Sequence, residues 1–436
     1  MPSTAAFRDR VLNAARNPGN RQTASALAIK LIGAVASFGF SYILARTYGA
    51  AGTGGYALAL TTATIASTVS LFGLDFILLR TVAGDVRVND TAAAGGTVRT
   101  VTFGVLGLAT VITVALALVG IPLLARLLDD GRGAGVLPLA AFAVLPLAMT
   151  RIAAMSLRGA GRIATAQLFD GPMAIMLTLA GLGVLVAAGW LGDVRRVFLL
   201  YIVGSGLAAL IGWAIYRRAS RQWAPPARVP LRPMLARSWK VSVAVLSMIA
   251  ADWLILLMLG ASFSRIEVGQ FRTAWQITAL ITLVVATYDT VAGPRIAAAH
   301  RVGDTKGIRA IWRQSVLVMM AGSLPLMVIA LAFPGWVLGL FGPEFVVAST
   351  TLRILALGQL VNIVTGSVGA TLMMTGRETT SLVTSLAGLA ALTVTGLLLI
   401  PRFGIEGAAI ATAVGVSVRN SAMTVIVFRM LRGRPV

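Results

Sequence analysis

The stretch Arg87-Val88-Asn89-Asp90-Thr91 returns 214 positions later as Arg301-Val302-Gly303-Asp304-Thr305. At the same offset, three further pairs match: Gly55 with Gly269, Asp75 with Asp289, and Arg99 with Arg313. The residues between these positions are largely apolar, so the repeated unit is a bundle of membrane helices. A duplicated bundle of this kind is typical of transporters that are built from two pseudo-equivalent halves.

Composition excludes a soluble globular protein. The 436 residues are 57% hydrophobic and only 12% charged, and apolar runs of about 20 residues, the length that crosses ~30 Å of hydrocarbon, recur throughout the chain. The chain has no cysteine, which excludes disulfides and iron–sulfur sites, and its single histidine, His300, cannot form a metal cluster. We therefore expect no metal and no cofactor.

The hydropathy pattern predicts an all-α polytopic membrane protein of about twelve transmembrane helices. Six helices per half is an even number, so both halves start on the same side, and we expect two parallel six-helix repeats around a central cavity. The predicted helices cover residues 24–45, 55–79, 101–121, 136–157, 164–188, 197–216, 241–259, 268–291, 315–340, 346–374, 379–400 and 405–428.

The distribution of the basic residues predicts the orientation in the membrane. Most of the 37 Lys and Arg fall in the N-terminal segment, the even-numbered loops and the C-terminal tail, which indicates cytoplasmic N- and C-termini. The net charge of +22 then reflects topology and attraction to anionic membrane lipids, and we expect no nucleic-acid partner. The predicted parts are a cytoplasmic N-terminal segment (1–23), an N-terminal half (24–220), a basic Pro-rich cytoplasmic linker (221–240) and a C-terminal half (241–436).

The second copy of the repeat lies in a segment with alternating apolar and basic residues. Residues 295–313 place isoleucine and tryptophan side chains between arginines and a lysine. This pattern predicts an amphipathic helix on the inner membrane surface. The alternative is an ordinary polar loop.

Several short motifs resemble those of one transporter family. Ala45-Arg46-Thr47-Tyr48-Gly49, Phe341-Gly342-Pro343-Glu344-Phe345 and the stretch from Ile400-Pro401-Arg402-Phe403-Gly404 to Ala411 resemble, in order and spacing, the oligosaccharidyl-lipid flippases. These form the polysaccharide transport family of the multidrug/oligosaccharidyl-lipid/polysaccharide exporter superfamily.

The resemblance implies a function. Such proteins move polyprenyl-diphosphate-linked oligosaccharides from the inner to the outer leaflet of the bacterial cytoplasmic membrane by alternating access. Twelve helices favour O-antigen, capsule or exopolysaccharide units over peptidoglycan precursors, because the related lipid II flippases usually have fourteen. The implied partners are the lipid-linked glycan and the glycosyltransferases or polymerase of the same pathway.

Ionisable residues inside membrane helices are the candidate site residues, since each costs roughly 2.5–3.5 kcal/mol on insertion scales. The predicted substrate-cavity residues are Lys30, Asp252, Arg272, Arg353 and Arg419. Cations pair with phosphate oxygens, so this mostly positive set suits a diphosphate. By the resemblance, helices one, two, seven and eight face the central cleft, which favours Lys30, Asp252 and Arg272. Alternatively, Asp252 and Arg272 form a buried ion pair that only fixes packing.

Asp75 and Asp289 lie at repeat-equivalent positions near the predicted inner ends of helices two and eight. We predict a cytoplasmic gate in which they pair across the halves with Arg80 or Arg295 when the cavity faces outward. The alternative is that each carboxylate contacts a basic neighbour in its own half.

Other function classes fit less well. Drug or organic-cation antiporters of the same superfamily typically have a carboxylate in the first-half cavity, where this chain has Lys30. A membrane glycosyltransferase or polymerase would need a large outer loop, and the predicted outer loops are short, so we expect a transporter and no enzyme. The chain has no phosphate-binding Gly-x-x-x-x-Gly-Lys-Ser/Thr loop for ATP. The membrane potential favours outward movement of a negative headgroup, while coupling to H⁺ or Na⁺ through Asp252 stays open.

Overall fold

A computed structural model of the chain describes residues 18–127, 135–190 and 192–432. These ranges contain helices and no strand, which confirms the all-α prediction. Seven of the helices are long and apolar enough to cross a membrane, or eight if one bent pair counts as a single span. The protein is thus a multi-pass membrane protein, and the count of twelve spans stays a prediction. Of the predicted N-terminal segment, residues 1–17 lie outside the described ranges.

The α-helices are numbered in chain order. They are α1 (Pro18–Leu71), α2 (Leu74–Arg87), α3 (Thr91–Ala115), α4 (Ile121–Leu127), α5 (Ala140–Gly159), α6 (Ile163–Phe169), α7 (Pro172–Ala187), α8 (Val194–Ala219), α9 (Leu231–Ser262), α10 (Arg265–Arg301), α11 (Thr305–Ala332), α12 (Pro334–Phe341), α13 (Ser349–Thr365), α14 (Val368–Met374) and α15 (Glu378–Leu431). A π-helix (Leu116–Gly120) joins α3 to α4, and 3₁₀ turns at Leu137–Leu139 and Pro343–Ala348 precede α5 and α13.

The two longest helices each contain a kink at a glycine. Helices α1 and α15 have 54 residues each, about 80 Å at a rise of ~1.5 Å per residue, which exceeds twice the ~30 Å hydrocarbon thickness. The backbone leaves the helical region at Gly49 (φ 66°) in α1 and at Gly404 (φ 55°) in α15. Glycine adopts positive φ without a steric penalty. Helix α15 therefore covers the two predicted segments 379–400 and 405–428, and α1 covers 24–45 and the first part of 55–79, in both cases with a kink and no intervening loop.

The repeated Arg-Val-x-Asp-Thr motif forms the same helix–turn–helix corner twice. Helix α2 ends at Arg87 and α10 at Arg301, and the x residue, Asn89 or Gly303, adopts φ of 62° or 69°. The aspartate then caps the next helix: Asp90 Oδ1 accepts the Ala93 N–H at 3.0 Å, and Asp304 Oδ1 accepts the Gly307 N–H at 2.8 Å. In both halves the motif therefore closes one helix and starts the next.

The prediction of an amphipathic surface helix over residues 295–313 was wrong. This segment is the end of α10, the corner at residues 302–304 and the start of α11. Its residues Ile296 and Ile308 are buried with Val368 and Leu372 in one hydrophobic cluster, so these side chains pack inside the protein and not on a membrane surface. Apolar and basic residues alternate in this segment because one face of each helix end packs inside the protein and the other face is exposed.

Breaks interrupt several helices that hydropathy predicts as continuous. Phe72 and Gly73, with φ of 47° and 71°, separate α1 from α2, and Gly171, with φ of 124°, separates α6 from α7. A Cβ at Gly73 would lie 2.6 Å from the carbonyl oxygen of Ser238. Residue 73 must therefore be glycine both for its backbone conformation and for its close packing. Helices α6 and α7 meet at an angle of 49°.

The chain forms two compact units. The first contains the described residues of 1–40, 62–124 and 134–243, and the second those of 41–61, 125–133 and 244–436. In the first unit, α5 is the most buried of the long apolar helices, with Ile152, Met155 and Leu157 at most 1% exposed. In the second unit, α13 packs against α15, and α10 packs against α11.

Within the second unit, residues 41–61 of α1 make backbone contact with the start of α10. A Cβ on Gly54 would lie 2.0 Å from the Arg265 carbonyl oxygen, and one on Gly269 would lie 1.9 Å from that of Ala50. Glycine at both positions allows the helix backbones to approach more closely than any side chain would permit, as is typical of membrane helix pairs.

This contact predicts a specific loss of stability. We expect Gly269→Ala to lower the free energy of unfolding by at least about 1–3 kcal/mol, because the new methyl group would overlap backbone atoms. Gly39→Ala is the matched control, since a Cβ there meets no atom within 4 Å. Thermal unfolding of the detergent-solubilised variants measures both. Equal melting temperatures for the two variants would contradict the close packing at Gly269.

Candidate substrate cavity

The second unit contains a partly open cavity of about 470 Å³, formed mainly by α10, α13 and α15. This volume lies within the range of ~300–1,000 Å³ that is usual for small-ligand sites, so it matches a headgroup and not a whole lipid-linked chain. The polar and aromatic residues that line it are Trp275, Thr278 and Thr282 of α10, Gln359 and Asn362 of α13, and Ser385, Thr412 and Arg419 of α15.

A chain of hydrogen bonds orients the amide groups at this cavity. Arg419 Nε donates to Asn420 Oδ1 at 3.2 Å, and Asn420 Nδ2 donates to Asn362 Oδ1 at 2.8 Å. Asn362 Nδ2 then donates to Gln359 Oε1 at 3.2 Å. Because each amide oxygen accepts from the preceding residue, Gln359 is left with its NH₂ group as the donor at the end of the chain. A guanidinium carries five N–H donors and no acceptor.

The cavity is therefore suited to a ligand rich in acceptors. Of the side chains described around it, only Arg419 is ionisable, and none is a carboxylate. Arg419 is partly buried, and a guanidinium forms its strongest hydrogen bonds with phosphate or carboxylate oxygens. An organic cation would meet the positive charge of Arg419 here.

The other predicted cavity residues are distributed over both units. Lys30 is partly exposed on α1 in the first unit, and Arg272 is partly buried on α10, one turn before Trp275. Arg353 is exposed on α13 and donates from Nε to the Leu331 carbonyl at 3.0 Å. It does not line the cavity. The side chain of Asp252 lies outside the described part of the chain.

In the first unit, Asp75 belongs to a buried network of two acids and two bases. Asp75, with its side chain 5% exposed, accepts from Arg151 Nε at 3.0 Å, and the Arg151 guanidinium also bonds to Asp170. Arg158 Nη2 contacts the other oxygen of Asp170 at 3.0 Å. The four charges cancel, which allows the group to lie inside a membrane protein. Phe76 adds a cation–π contact, with its ring centroid 5.8 Å from Arg151 Cζ.

Sequence analysis did not identify Asp170 or Arg158 as members of this network. Asp170 lies within the predicted helix over residues 164–188, where it was assigned no role. The local signal was the sequence Asp170-Gly171-Pro172, which is typical of a helix break. The break places the carboxylate beside α5, where Arg151 and Arg158 lie seven residues, or about two turns, apart on one face.

The repeat-equivalent carboxylate, Asp289, has a different environment. It is partly buried on α10, and its Oδ1 is buried with no hydrogen-bond partner among the described residues. At the repeat offset, the position of Arg151 corresponds to Thr365, whose hydroxyl donates to Val361 O of its own helix at 2.9 Å. The two proposed gate arginines, Arg80 and Arg295, are both exposed. The halves therefore share a carboxylate but not the arginine that neutralises it.

This asymmetry predicts different costs for the same substitution. We expect Asp75→Asn to lower the free energy of unfolding by about 1–3 kcal/mol, because Arg151 loses one of its two carboxylates. The loss is smaller than for a fully buried ion pair, since the Arg151 side chain is 30% exposed and can be partly solvated. Asp289→Asn should change it by less than about 0.5 kcal/mol, since the described residues form no ion pair with Asp289. Thermal unfolding of the two variants in one detergent compares them. A loss at Asp289 as large as that at Asp75 would indicate a charged partner at Asp289.

Comparisons with known proteins agree with this architecture. A sequence model described as polysaccharide biosynthesis protein matches residues 20–300, and a MatE model matches residues 241–398. The probable low-salt glycan biosynthesis flippase Agl15 of Haloferax volcanii is 23% identical over 223 residues, which is 51% of this chain. The chain spans 47% of the length of that curated relative.

Two solved structures share the fold over nearly the whole chain. A multidrug resistance MATE family transporter of the MOP superfamily, in an inward-facing conformation, gives a TM-score of 0.70 at 16% identity and covers 94% of this chain and 98% of its own. The lipid II flippase MurJ, in an inward closed conformation, gives a TM-score of 0.72 at 10% identity and covers 93% and 87%. At these identities the likeness concerns the fold alone.

The family predicted from the short motifs is confirmed, because the polysaccharide biosynthesis model matches residues 20–300, which is more than half of this chain. The chain belongs to the polysaccharide biosynthesis protein family.

Proposed function

We propose that the protein is a flippase for a polyprenyl-diphosphate-linked oligosaccharide, such as an O-antigen, capsule or exopolysaccharide unit. It moves this lipid from the inner to the outer leaflet of a bacterial cytoplasmic membrane by alternating access, with both termini in the cytoplasm. The family to which the chain belongs, and its similarity to a probable glycan biosynthesis flippase of Haloferax volcanii, support a role in glycan assembly.

The donor-lined cavity of the second unit is the observation that carries this proposal. Arg419 and the Gln359 amide supply N–H donors, and the described lining contains no carboxylate. Phosphate oxygens and sugar hydroxyls both accept such hydrogen bonds, and aromatic residues such as Trp275 are usual in the walls of ligand sites. A diphosphate-linked sugar combines all these acceptors.

We propose that Lys30, Arg272 and Arg419 receive the headgroup, with Asp252 beside Arg272. In this account Arg419 contacts the substrate directly, and Arg353 contributes less because its guanidinium is bonded to a carbonyl on the outside of the cavity. The alternative for Asp252 and Arg272, an ion pair that only fixes packing, predicts that exchanging the two charges would preserve transport.

Charge supplies a driving force for this transport. Outward movement of a negative headgroup across an inside-negative membrane is favourable by ~2.3 kcal/mol per charge per 100 mV, so the potential can drive the flip without ATP. If transport in proteoliposomes does not depend on the potential, this energetic account fails, and an ion gradient must supply the energy.

For the gate we propose that Asp75 and Asp289 exchange partners between states. In the described state Asp75 is held by Arg151 of its own half, and in the outward-facing state Arg80 and Arg295 would pair with the two carboxylates. Transport with unchanged labelling of the inner cavity in both Asp→Asn variants would rule out this gate.

The rival function is a drug or organic-cation antiporter of the same superfamily. The MatE match over residues 241–398 and the shared fold are compatible with it. Arg419 argues against it, because an organic cation in this cavity would be repelled by the guanidinium, and the one carboxylate of the proposed site, Asp252, is assigned to Arg272.

A complementation experiment tests the proposal. A strain that lacks the gene should accumulate lipid-linked glycan in the inner leaflet, and the wild-type gene should clear it. We expect Arg419→Gln to reduce clearance by about tenfold or more, because a charge-assisted hydrogen bond contributes ~1.5–3 kcal/mol. Arg353→Gln is the matched control and should retain most activity, since that side chain lies outside the cavity.

Membrane abundance of each variant is measured by immunoblot so that a folding defect is not mistaken for a transport defect. Arg419→Lys should restore part of the clearance, because it keeps the charge and loses the fork geometry. If the deletion causes no accumulation and instead changes drug sensitivity, the protein is an exporter. Equal clearance by Arg419→Gln and Arg353→Gln would remove the cavity from the mechanism.

A further inference from the structure

The first unit contains a second large cleft, of about 1,040 Å³, which the proposed transport does not use. It lies between the start of α3, the end of α8 and the extended segment after α8 (residues 220–230, the linker arm). All the residues that line this cleft belong to the first unit, whereas those that line the cavity around Arg419 belong to the second.

The linker arm is fixed to α3, so the cleft is a preformed feature. Ala224 N donates to Thr91 Oγ1 at 3.1 Å, and Ala227 N donates to the Ala92 carbonyl at 2.9 Å. Thr100 Oγ1 donates to the Val229 carbonyl at 2.9 Å. Gly96 allows this contact, because a Cβ there would lie 2.2 Å from the Ala227 carbonyl oxygen.

One end of the cleft is strongly basic. Arg99 of α3, Arg217 and Arg218 of α8, and Arg221 of the linker arm all line it, and all four are exposed. No acidic side chain is among the described lining residues. Four arginines in a described lining without a carboxylate form a site for an anion, and the planar guanidinium can bind phosphate through two parallel hydrogen bonds.

The other end of the cleft is apolar and open. Phe103 of α3 is 64% exposed and Leu210 of α8 is 68% exposed. On α8 the lining residues Leu210, Trp213 and Arg217 recur every three to four positions, so they form one face that changes from apolar to basic. Such a change along a membrane helix, with tryptophan at the transition, is typical of the level of the lipid headgroups.

We propose that this cleft binds an anionic phospholipid from the leaflet at the predicted cytoplasmic side. The phosphate lies among Arg99, Arg217, Arg218 and Arg221, and the acyl chains follow the exposed faces of Phe103 and Leu210. The combination of a basic end and an apolar end selects a lipid over free phosphate, which would leave the apolar end without a ligand. The site does not depend on which substrate the protein transports.

Native mass spectrometry of the detergent-solubilised full chain with added phosphatidylglycerol tests this site. We expect Arg217→Gln/Arg221→Gln to weaken binding roughly 25-fold, since each basic residue near an anionic lipid contributes about fivefold. The matched control is Arg228→Gln/Arg232→Gln, which removes the same charge from exposed positions nearby that do not line the cleft. The control should change binding less than about threefold.

Three further probes identify the ligand class. Phosphatidylcholine should bind much more weakly than phosphatidylglycerol, and glycerol phosphate should not compete, because it lacks the chains. Phe103→Ser should weaken binding of long-chain phosphatidylglycerol more than binding of the dihexanoyl form.

Three results would each overturn the proposal. They are equal weakening by both double variants, equal binding of phosphatidylcholine and phosphatidylglycerol, and competition by glycerol phosphate at the same concentration as the lipid. The last result would indicate a free-phosphate site. Preference for a polyprenyl diphosphate over phosphatidylglycerol would also overturn it, because the cleft would then be a substrate site.

Discussion

A charge inside a membrane protein must have a counter-charge, water or a ligand, and this constraint organises the molecule. The first unit satisfies it internally: Asp75 and Asp170 share Arg151, Arg158 completes the set, and the network is neutral. The second unit retains the carboxylate of the repeat, Asp289, without that arginine, and instead directs a cation, Arg419, into a cavity. The first unit therefore holds these four charges in a closed network, while the second places Arg419 at the cavity that we propose receives a ligand. This difference is the physical basis for the proposed transport of an acceptor-rich headgroup.

The fold was largely predictable because hydropathy and charge report directly on membrane helices. The repeat also identified real structure, since both copies of Arg-Val-x-Asp-Thr form capped corners between helices. Helix breaks were less predictable. Hydropathy records that residues 55–79 are apolar, but the break at Phe72 and Gly73 depends on the approach of Ser238, which is distant in sequence. The predicted amphipathic helix failed for a similar reason, because the apolar face of a surface helix and that of a helix end packed on its own unit have the same periodicity.

The candidate site was predictable in its chemistry and not in its geometry. A charged residue in an apolar helix is visible in the sequence, and Arg419 was identified in this way. Which face it occupies depends on packing, so the sequence could not distinguish Arg419 at the cavity from Arg353 on an exposed face. The relay through Asn420, Asn362 and Gln359 was not identified at all, because amides in membrane helices carry no charge and their order depends on the contact between α13 and α15.

The central claim is that the protein moves a negatively charged lipid-linked sugar between leaflets. The most direct test reconstitutes the purified protein in liposomes with a fluorescent polyprenyl-diphosphate oligosaccharide and follows its leaflet distribution with a membrane-impermeant quencher. The account predicts translocation that depends on the protein and becomes faster when the potential favours movement of negative charge. Leaflet exchange no faster than in protein-free liposomes, together with exchange of an organic cation for H⁺ or Na⁺, would contradict it.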